Sequence, residues 1–388
     1  MRLQGSQTII SNTIFAGNHA ANHGGAIQNN RASMTLADCR FENNASDSDG
    51  GAIANWGGGK ATLNTCTFVA NTAKNGGAIT NMVNASGDSP SELTLNKCVF
   101  SGNIQDDKND AETGGAIVNN GSKATVSGCT FNHLQAVKGG AAANQVYKDL
   151  TAQIRLDKGC TFTSNKAQHG GAFANIDSKS EVLNSDFIEN EASGYGGAIY
   201  NAFDAAPADM TIKGTSFERN TSVGNGGAIM NWYADKSADA AAPHITIQNS
   251  SFVENKVVSK NTYASQGGAI ANQCAILSVA GTEFKGNYAA HAGAIYSYDC
   301  ELNTATAISN KVAYTYVYNS VFDGNALDLA ANASAQGGDI RSHGQSKNVI
   351  VNSTFTNGNA TTGAVRLRTG ATCHVVSCTF TGNPSALY

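Results

Sequence analysis

Charge is scarce in this chain. Asp, Glu, Lys and Arg make up 14% of the 388 residues, and the formal net charge is −4. That lightly charged, near-neutral balance argues against nucleic acid and anionic membrane as partners. Long apolar runs are also missing. No stretch reaches the roughly 18 apolar residues a bilayer-spanning helix needs, and the opening MRLQGSQTIISNTIF has no apolar core of a secretion signal. There is no C-x₂₋₄-C pair with partnered His for zinc, no Asp-x-Asp-x-Asp-Gly or RTX nonapeptide for calcium, and no leucine-rich signature. No cofactor and no metal are expected.

What the chain does have is repetition, and 42 Gly residues. A Phe recurs thirteen times: Phe15, Phe41, Phe68, Phe100, Phe131, Phe162, Phe187, Phe217, Phe252, Phe284, Phe322, Phe355 and Phe380. In eleven copies an Asn follows three residues later, as in Asn44, Asn220 and Asn325. Phe131-Asn-His-Leu and Phe355-Thr-Asn-Gly break the rule. Between Phe residues lies Gly-Gly-Ala-Ile, intact from Gly24, Gly50, Gly76, Gly114, Gly196, Gly226 and Gly267. It is altered at Gly139 (GGAA), Gly170 (GGAF), Ala292 (AGAI), Gly337 (GGDI) and Thr362 (TGAV). Two residues before each Phe stands a small side chain: Cys39, Cys66, Cys98, Cys129, Cys160 and Cys378, elsewhere Ser or Thr.

Strand parity turns this repeat into a fold. Residues i and i+2 share a face. Met34 and Leu36 form one pair, Cys39 and Phe41 another, and the pairs are out of phase by one residue. A corner at Ala37-Asp38 brings both inward. Gly25, Ile27 and Asn29 make a third strand. Three short strands and three corners form one rung of a triangular coil. The Phe spacing runs from 25 (Phe162 to Phe187) to 38 (Phe284 to Phe322), with the excess as insertions after GGAI-x-N or after F-x-x-N. Helical repeats are disfavoured by the Gly pairs and the alternation. The expectation is an all-β, single-stranded right-handed parallel β-helix of 12–13 three-strand rungs, one domain over residues 1–388 with repeats over about 8–383.

In such a coil like stacks on like, about 4.8 Å apart. Phe41, Phe68, Phe100, Phe162, Phe187, Phe217, Phe252 and Phe284 are expected to form a ring column, and the motif Asn residues an amide ladder. Cys39, Cys66, Cys98, Cys129 and Cys160 fall in one column and read as buried free thiols in a packing role, because Ser and Thr replace them elsewhere. Cys274 and Cys300, on adjacent rungs, are open to a disulfide.

Tandem GGAI and F-x-x-N, alternating from Phe15 to Asn383, resemble the passenger region of the chlamydial polymorphic membrane proteins. The resemblance implies autotransported, surface-displayed adhesins that attach to host cells in virulence. The translocator barrel and signal peptide of that family are not expected in this chain, so the location implied is extracellular or at the outer cell surface by a route left open. The resemblance ties both motifs to adhesion; the residues themselves read as core and corners, whose loss would harm binding through folding.

Candidate contact residues lie beyond the Gly-Ala-Ile strand. Trp56, Trp232, Tyr233 and Tyr298 follow it, with Tyr147, Phe203 and Tyr296 close by. In register these rings would make a patch for a sugar or a protein partner; the alternative is that they cover rung ends beneath inserted loops. Asp106, Asp107, Asp110 and Glu112 read as a solvated acidic loop. His23, His169 and His291, each before a Gly pair, read as ordinary polar corners. Arg341, Arg366 and Arg368 form either a small basic spot for an acidic glycan or a chance cluster. No aligned pair of carboxylates for sugar cleavage is evident. The reading is an adhesin-type binding module for a host-cell surface protein or glycan, not an enzyme. The alternatives are a pectin-lyase-like lyase or hydrolase and a purely structural rod. Open β-edges at the ends invite end-to-end self-association.

Overall fold

The computed structural model describes all residues except Asp88, 103–112, 205–207, 234–241, 259–264, 300–311, 329–335 and Tyr388. The four acidic loop residues and Cys300 therefore lie outside the described residues. What is described is all β, and it groups into two compact units, Met1–Asp186 and Phe187–Tyr388. No described helix is long and apolar enough to cross a membrane, which says nothing of β-barrels.

One rung of the first unit shows how the sequence folds. Ser33–Ala37 buries Met34 and Leu36 and turns Thr35 outward, the period-two pattern of a half-buried strand. Asp38 then takes φ 54, which shifts the phase so that Cys39 and Phe41 also point inward. Asn43 takes φ 53 and Gly50 φ 62, and the strand Ile53–Trp56 closes the turn with Ile53 and Asn55 inside. The next rung repeats this in parallel and in register: Leu63 pairs with Leu36, Phe68 with Phe41, Ile79 with Ile53. Three parallel sheets result in each unit, the walls of a parallel β-helix.

Left-handed residues set two of the corners without needing glycine. The position between Phe and Asn is left-handed as Asn43, Ala70, His133, Glu189 and Arg219. A left-handed L-residue costs roughly 1–2 kcal/mol, so stacking must hold it there. The Gly pair differs. A Cβ on Gly50 would lie 2.1 Å from the Ile53 carbonyl oxygen, and one on Gly51 2.2 Å from the Gly77 oxygen of the next rung. Both atoms are backbone, but Ala292, at φ 55, and Thr362 stand at the first position in their copies, so it is the second glycine, present in every copy, that the neighbouring rung requires.

The interior is built of columns. In the first unit the rings from Phe15 through Phe41, Phe68, Phe100 and Phe131 to Phe162 stack at 4.7–4.9 Å between centroids, within 7° of parallel. In the second, Phe187 through Phe217, Phe252, Phe284, Phe322 and Phe355 to Phe380 stack at 4.6–5.0 Å. Two amide ladders seal the corners. Asn29, Asn55, Asn81, Asn119, Asn144 and Asn175 each pass an Nδ2–H to the next Oδ1 at 2.7–2.9 Å. Asn190, Asn220, Asn255, Asn287 and Asn325 do the same at 2.8–3.0 Å in the second unit. The spare Nδ2 hydrogen goes to a backbone carbonyl, as from Asn220 to Phe187 O at 2.9 Å. Apart from Asn29 Oδ1 at the first rung, which has no partner, these paired groups are what allow buried amides in a core.

The second ladder ends in a substitution of interest. After Asn325 the next F-x-x-N position is Gly358, which has no amide to offer. Asp339, from the GGDI copy, takes the vacated place: Asn325 Nδ2 donates to its Oδ1 at 2.9 Å. The carboxyl is fully buried and its Oδ2 has no partner. Burial pushes its pKa up to about 7, against the lowering effect of the Asn325 hydrogen bond.

A short fourth strand, absent from the sequence reading, lies between F-x-x-N and the Gly pair. Examples are Ala45–Ser46, Lys166–His169 and Glu191–Tyr195. The column thiols Cys39, Cys66, Cys98, Cys129 and Cys160 are free and buried. Hydrogen bonding with Cys129, ahead of burial, pushes Cys98 up to about 12. Cys274 is disulfide-bonded.

Candidate functional site

The outer face of the Gly-Ala-Ile sheet brings side chains together away from the Phe columns, many of them buried, as Ala54, Val118, Tyr200 and Met230 are. The first and third residues after Ile point outward along each strand. The Gly pair folds the chain back, so the residue before it meets those outward side chains. In the first unit Thr80 Oγ1 donates to Asn75 O at 2.6 Å, and the His23 ring lies 5.5 Å from Trp56. The pair therefore makes a re-entrant corner that runs from rung to rung.

In the first unit this corner is polar and partly paired, with Thr113 Oγ1 left without a hydrogen-bond partner. His23 Nδ1 lies 3.0 Å from Asp49 Oδ2, and Asn75 Nδ2 donates to Asp49 Oδ1 at 3.0 Å. Burial works against the Asp49 carboxylate, but bonds from His23, Ser48 and Asn75 hold its pKa below the usual range. Burial, with Lys138 nearby, lowers His169 to about 4. The strand floor is largely small: Ala54, Val118, Ala143 and Ala174 are buried there.

In the second unit the same face is aromatic. Tyr200, Met230, Ala271 and Tyr296 form one in-register column, and Ala202, Trp232, Gln273 and Tyr298 the other. Trp232 is half-buried and meets Tyr195 and Tyr200 edge-on at 5.6 and 5.9 Å. Tyr298 Oη donates to Gln273 Oε1 at 2.7 Å and accepts from Asn225 Nδ2 at 3.1 Å. Burial pushes the Tyr298 hydroxyl well above its ordinary pKa, so it stays a neutral donor. Rings flanked by amides suit a sugar face or a partner side chain.

The sequence-derived candidates separate accordingly. Trp232 and Tyr298, both half-buried, share the outward face of the second unit with Tyr296, which at 4% exposure is buried and offers no open ring. Trp56 lies on the corresponding face of the first unit. Tyr147, half-buried, sits on a turn bridged to Leu150 with the Lys148 amine 5.6 Å from its ring centroid. Phe203 and Tyr233 require correction. They stand four residues after Ile, which by parity turns them inward with Ile and Asn. Both are buried, stacked at 4.6 Å, and packed on Cys274, so neither offers a ring to a partner. Tyr195, half-buried before the Gly pair, was missed; Tyr200, outward by parity but 3% exposed, backs Trp232 from beneath and offers no ring itself. Arg341 is not a surface residue either: it is 2% exposed. Among the described residues no group of three His, Cys, Asp or Glu side chains could hold a metal.

Comparison with known proteins gives two findings and one blank. The Chlamydia polymorphic membrane protein repeat matches residues 12–30, 38–55, 184–202 and 214–231. A PL6 alginate lyase solved with a trisaccharide is similar at 14% identity and a TM-score of 0.32, over 98% of this chain and 79% of that one. No curated protein matches. The matched segments carry the Phe, Asn and Gly-Gly-Ala-Ile positions that build the rungs, and the chain is thus a parallel β-helical repeat protein similar to the Chlamydia polymorphic membrane proteins.

Proposed function

We propose that this chain is an adhesin-type binding module, displayed on a cell surface or secreted, which attaches to a host-cell protein or glycan. One observation carries the reading. The repeat motifs face inward as core and corners, while the outward Gly-Ala-Ile face of the second unit gathers Tyr195, Trp232 and Tyr298 beside the amides of Asn225 and Gln273. Aromatic anchors edged by hydrogen-bonding groups are what binding surfaces use. The likeness to a repeat of surface proteins supports the location. The test is attachment of beads coated with the full chain to cultured epithelial cells, with soluble chain as competitor, alongside a glycan array. Saturable, competable attachment or a defined glycan hit is expected. Silence in both assays would overturn the reading, and release of unsaturated or reducing sugars from a bound glycan would replace it with an enzyme.

A further inference from the structure

One part of the second unit's outward face holds charge that packing does not explain. Tyr296, Arg341 and Arg366 occupy one column on consecutive, in-register strands. Arg368 comes two residues after Arg366, and its N–H donates to Ser342 O at 2.9 Å, which sets it beside His343. Adjacent strands lie about 4.8 Å apart, and like charges in register repel. Other rungs fill this column with Ala54, Val118, Met230 or Ala271, so the position does not need arginine.

Arg341 is the telling residue. It is buried, its guanidinium lies 5.4 Å from the Tyr296 ring centroid, and its Nε and Nη1 have no hydrogen-bond partner. The ionisable groups acting on it are Tyr296 and the two cations Arg368 and Arg366. Buried charges are ordinarily paired; among the described residues Arg341 has no such pair. His291, 9% exposed, stands at the same corner with Nδ1 unpartnered. Burial and the three arginines hold it near 3, so its ring is neutral and can donate without adding charge. Gly337 lets the stems in: a Cβ there would come 2.8 Å from Arg341 Cβ and 3.3 Å from Arg366 Cβ.

We propose that this corner is an oxyanion site for an acidic saccharide. A sugar carboxylate or sulfate would sit on Arg341, Arg366 and Arg368 beside His291, with adjoining sugar faces along Tyr298 and Trp232. The inference rests on the binding-module reading and names its ligand class. A planar guanidinium pairs with carboxylate or sulfate through two donors at once. The rings and amides in the neighbouring columns favour a saccharide over a bare ion, and the net charge of −4 disfavours a long polyanion such as nucleic acid.

The test is calorimetric titration of the full chain with three hexasaccharides: an oligogalacturonate (carboxylate only), a sulfated galactan without uronate, and neutral maltohexaose. At least one acidic oligomer is expected to bind, more weakly as salt rises, and maltohexaose is not. Arg341→Met keeps the stem and removes the charge; it should weaken binding about thirtyfold or more, while raising the melting temperature of the free chain because an uncompensated buried charge is gone. The double variant Arg366→Gln/Arg368→Gln should weaken binding without that rise. The arm that binds identifies the oxyanion. Binding of neither acidic oligomer, equal binding of maltohexaose, or an Arg341→Met chain that binds unchanged or melts lower would overturn the site. If the chain still attaches to cells in that case, the anion site falls alone; if attachment is absent too, the binding-module reading falls with it.

Discussion

Between about pH 4 and about pH 7 one buried carboxyl should subtract a separable share of the chain's stability. Asp339 is fully buried with a pKa raised from 3.8 to about 7, burial being the main cause. A carboxyl raised in the folded state contributes stability that is complete below its unfolded value and is lost as pH climbs through the folded value. The gap between 3.8 and about 7, at roughly 1.4 kcal/mol per pH unit, puts the loss at about 4 kcal/mol as an upper figure. Asp339→Asn keeps the oxygen that accepts from Asn325 and removes the ionisation. Urea denaturation at pH 5 and pH 8 is the assay. His169 and His291, lowered to about 4 and about 3, act in the opposite sense because they must charge on unfolding in acid. They are common to both chains, so the difference between wild type and variant isolates Asp339. The variant should be the more stable chain at pH 8 and nearly equal at low pH. An identical pH slope in the two chains would refute the reasoning.

Two other outcomes follow from the corners and the thiols. Gly197→Ala drives a Cβ to within 2.1 Å of Gly227 O and should cost about 3 kcal/mol or more. Gly286→Ala meets nothing nearer than Glu254 Cγ at 3.6 Å and should cost only the roughly 1–2 kcal/mol of a left-handed alanine; similar melting shifts for both would contradict the backbone-contact argument. The five buried column thiols should resist a thiol-reactive dye in the native chain and react only on unfolding, because burial keeps the reagent from the sulfur and raised pKa values at Cys39, Cys66, Cys98 and Cys160 withhold the thiolate. Fast labelling of Cys98 in the native state would count against the column.

The rungs were legible because their signals are periodic and local: Phe with Asn three residues on, a small side chain two before, and a Gly pair between. What was hidden depended on contacts between copies. The left-handed corners carry Asn, Ala, His, Glu or Arg alike, since stacking and not residue type holds them. The short fourth strand has as few as two residues and no pattern of its own. Gly358 and Asp339 each looked like a separate lapse in a motif, and only their adjacency reveals that one carboxyl stands in for a missing amide. At the candidate site, parity was the neglected signal. Residues three and four after Ile were grouped as one patch, though Trp232 faces out and Tyr233 faces in. Arg341, one residue after Ile, was outward by parity, but its burial came from the re-entrant corner that the sequence does not display.

The central claim is that the motif residues hold the rungs while the outward face of the Gly-Ala-Ile sheet makes the contacts. Melting temperature and cell attachment, measured together on two single variants, test it most directly. Asn220→Ala removes an amide that accepts from Asn190 N and Nδ2 and donates to Phe187 O and Asn255 Oδ1, at a cost of at least about 3 kcal/mol. Trp232→Ala strips a half-buried ring from the outward face. The account predicts that Asn220→Ala lowers both melting and attachment, and that Trp232→Ala, whose ring packs on Tyr195 and Tyr200, lowers attachment more than Asn220→Ala does while lowering melting less. An Asn220→Ala chain that melts like wild type yet no longer attaches would make the motif itself the contact and contradict the account.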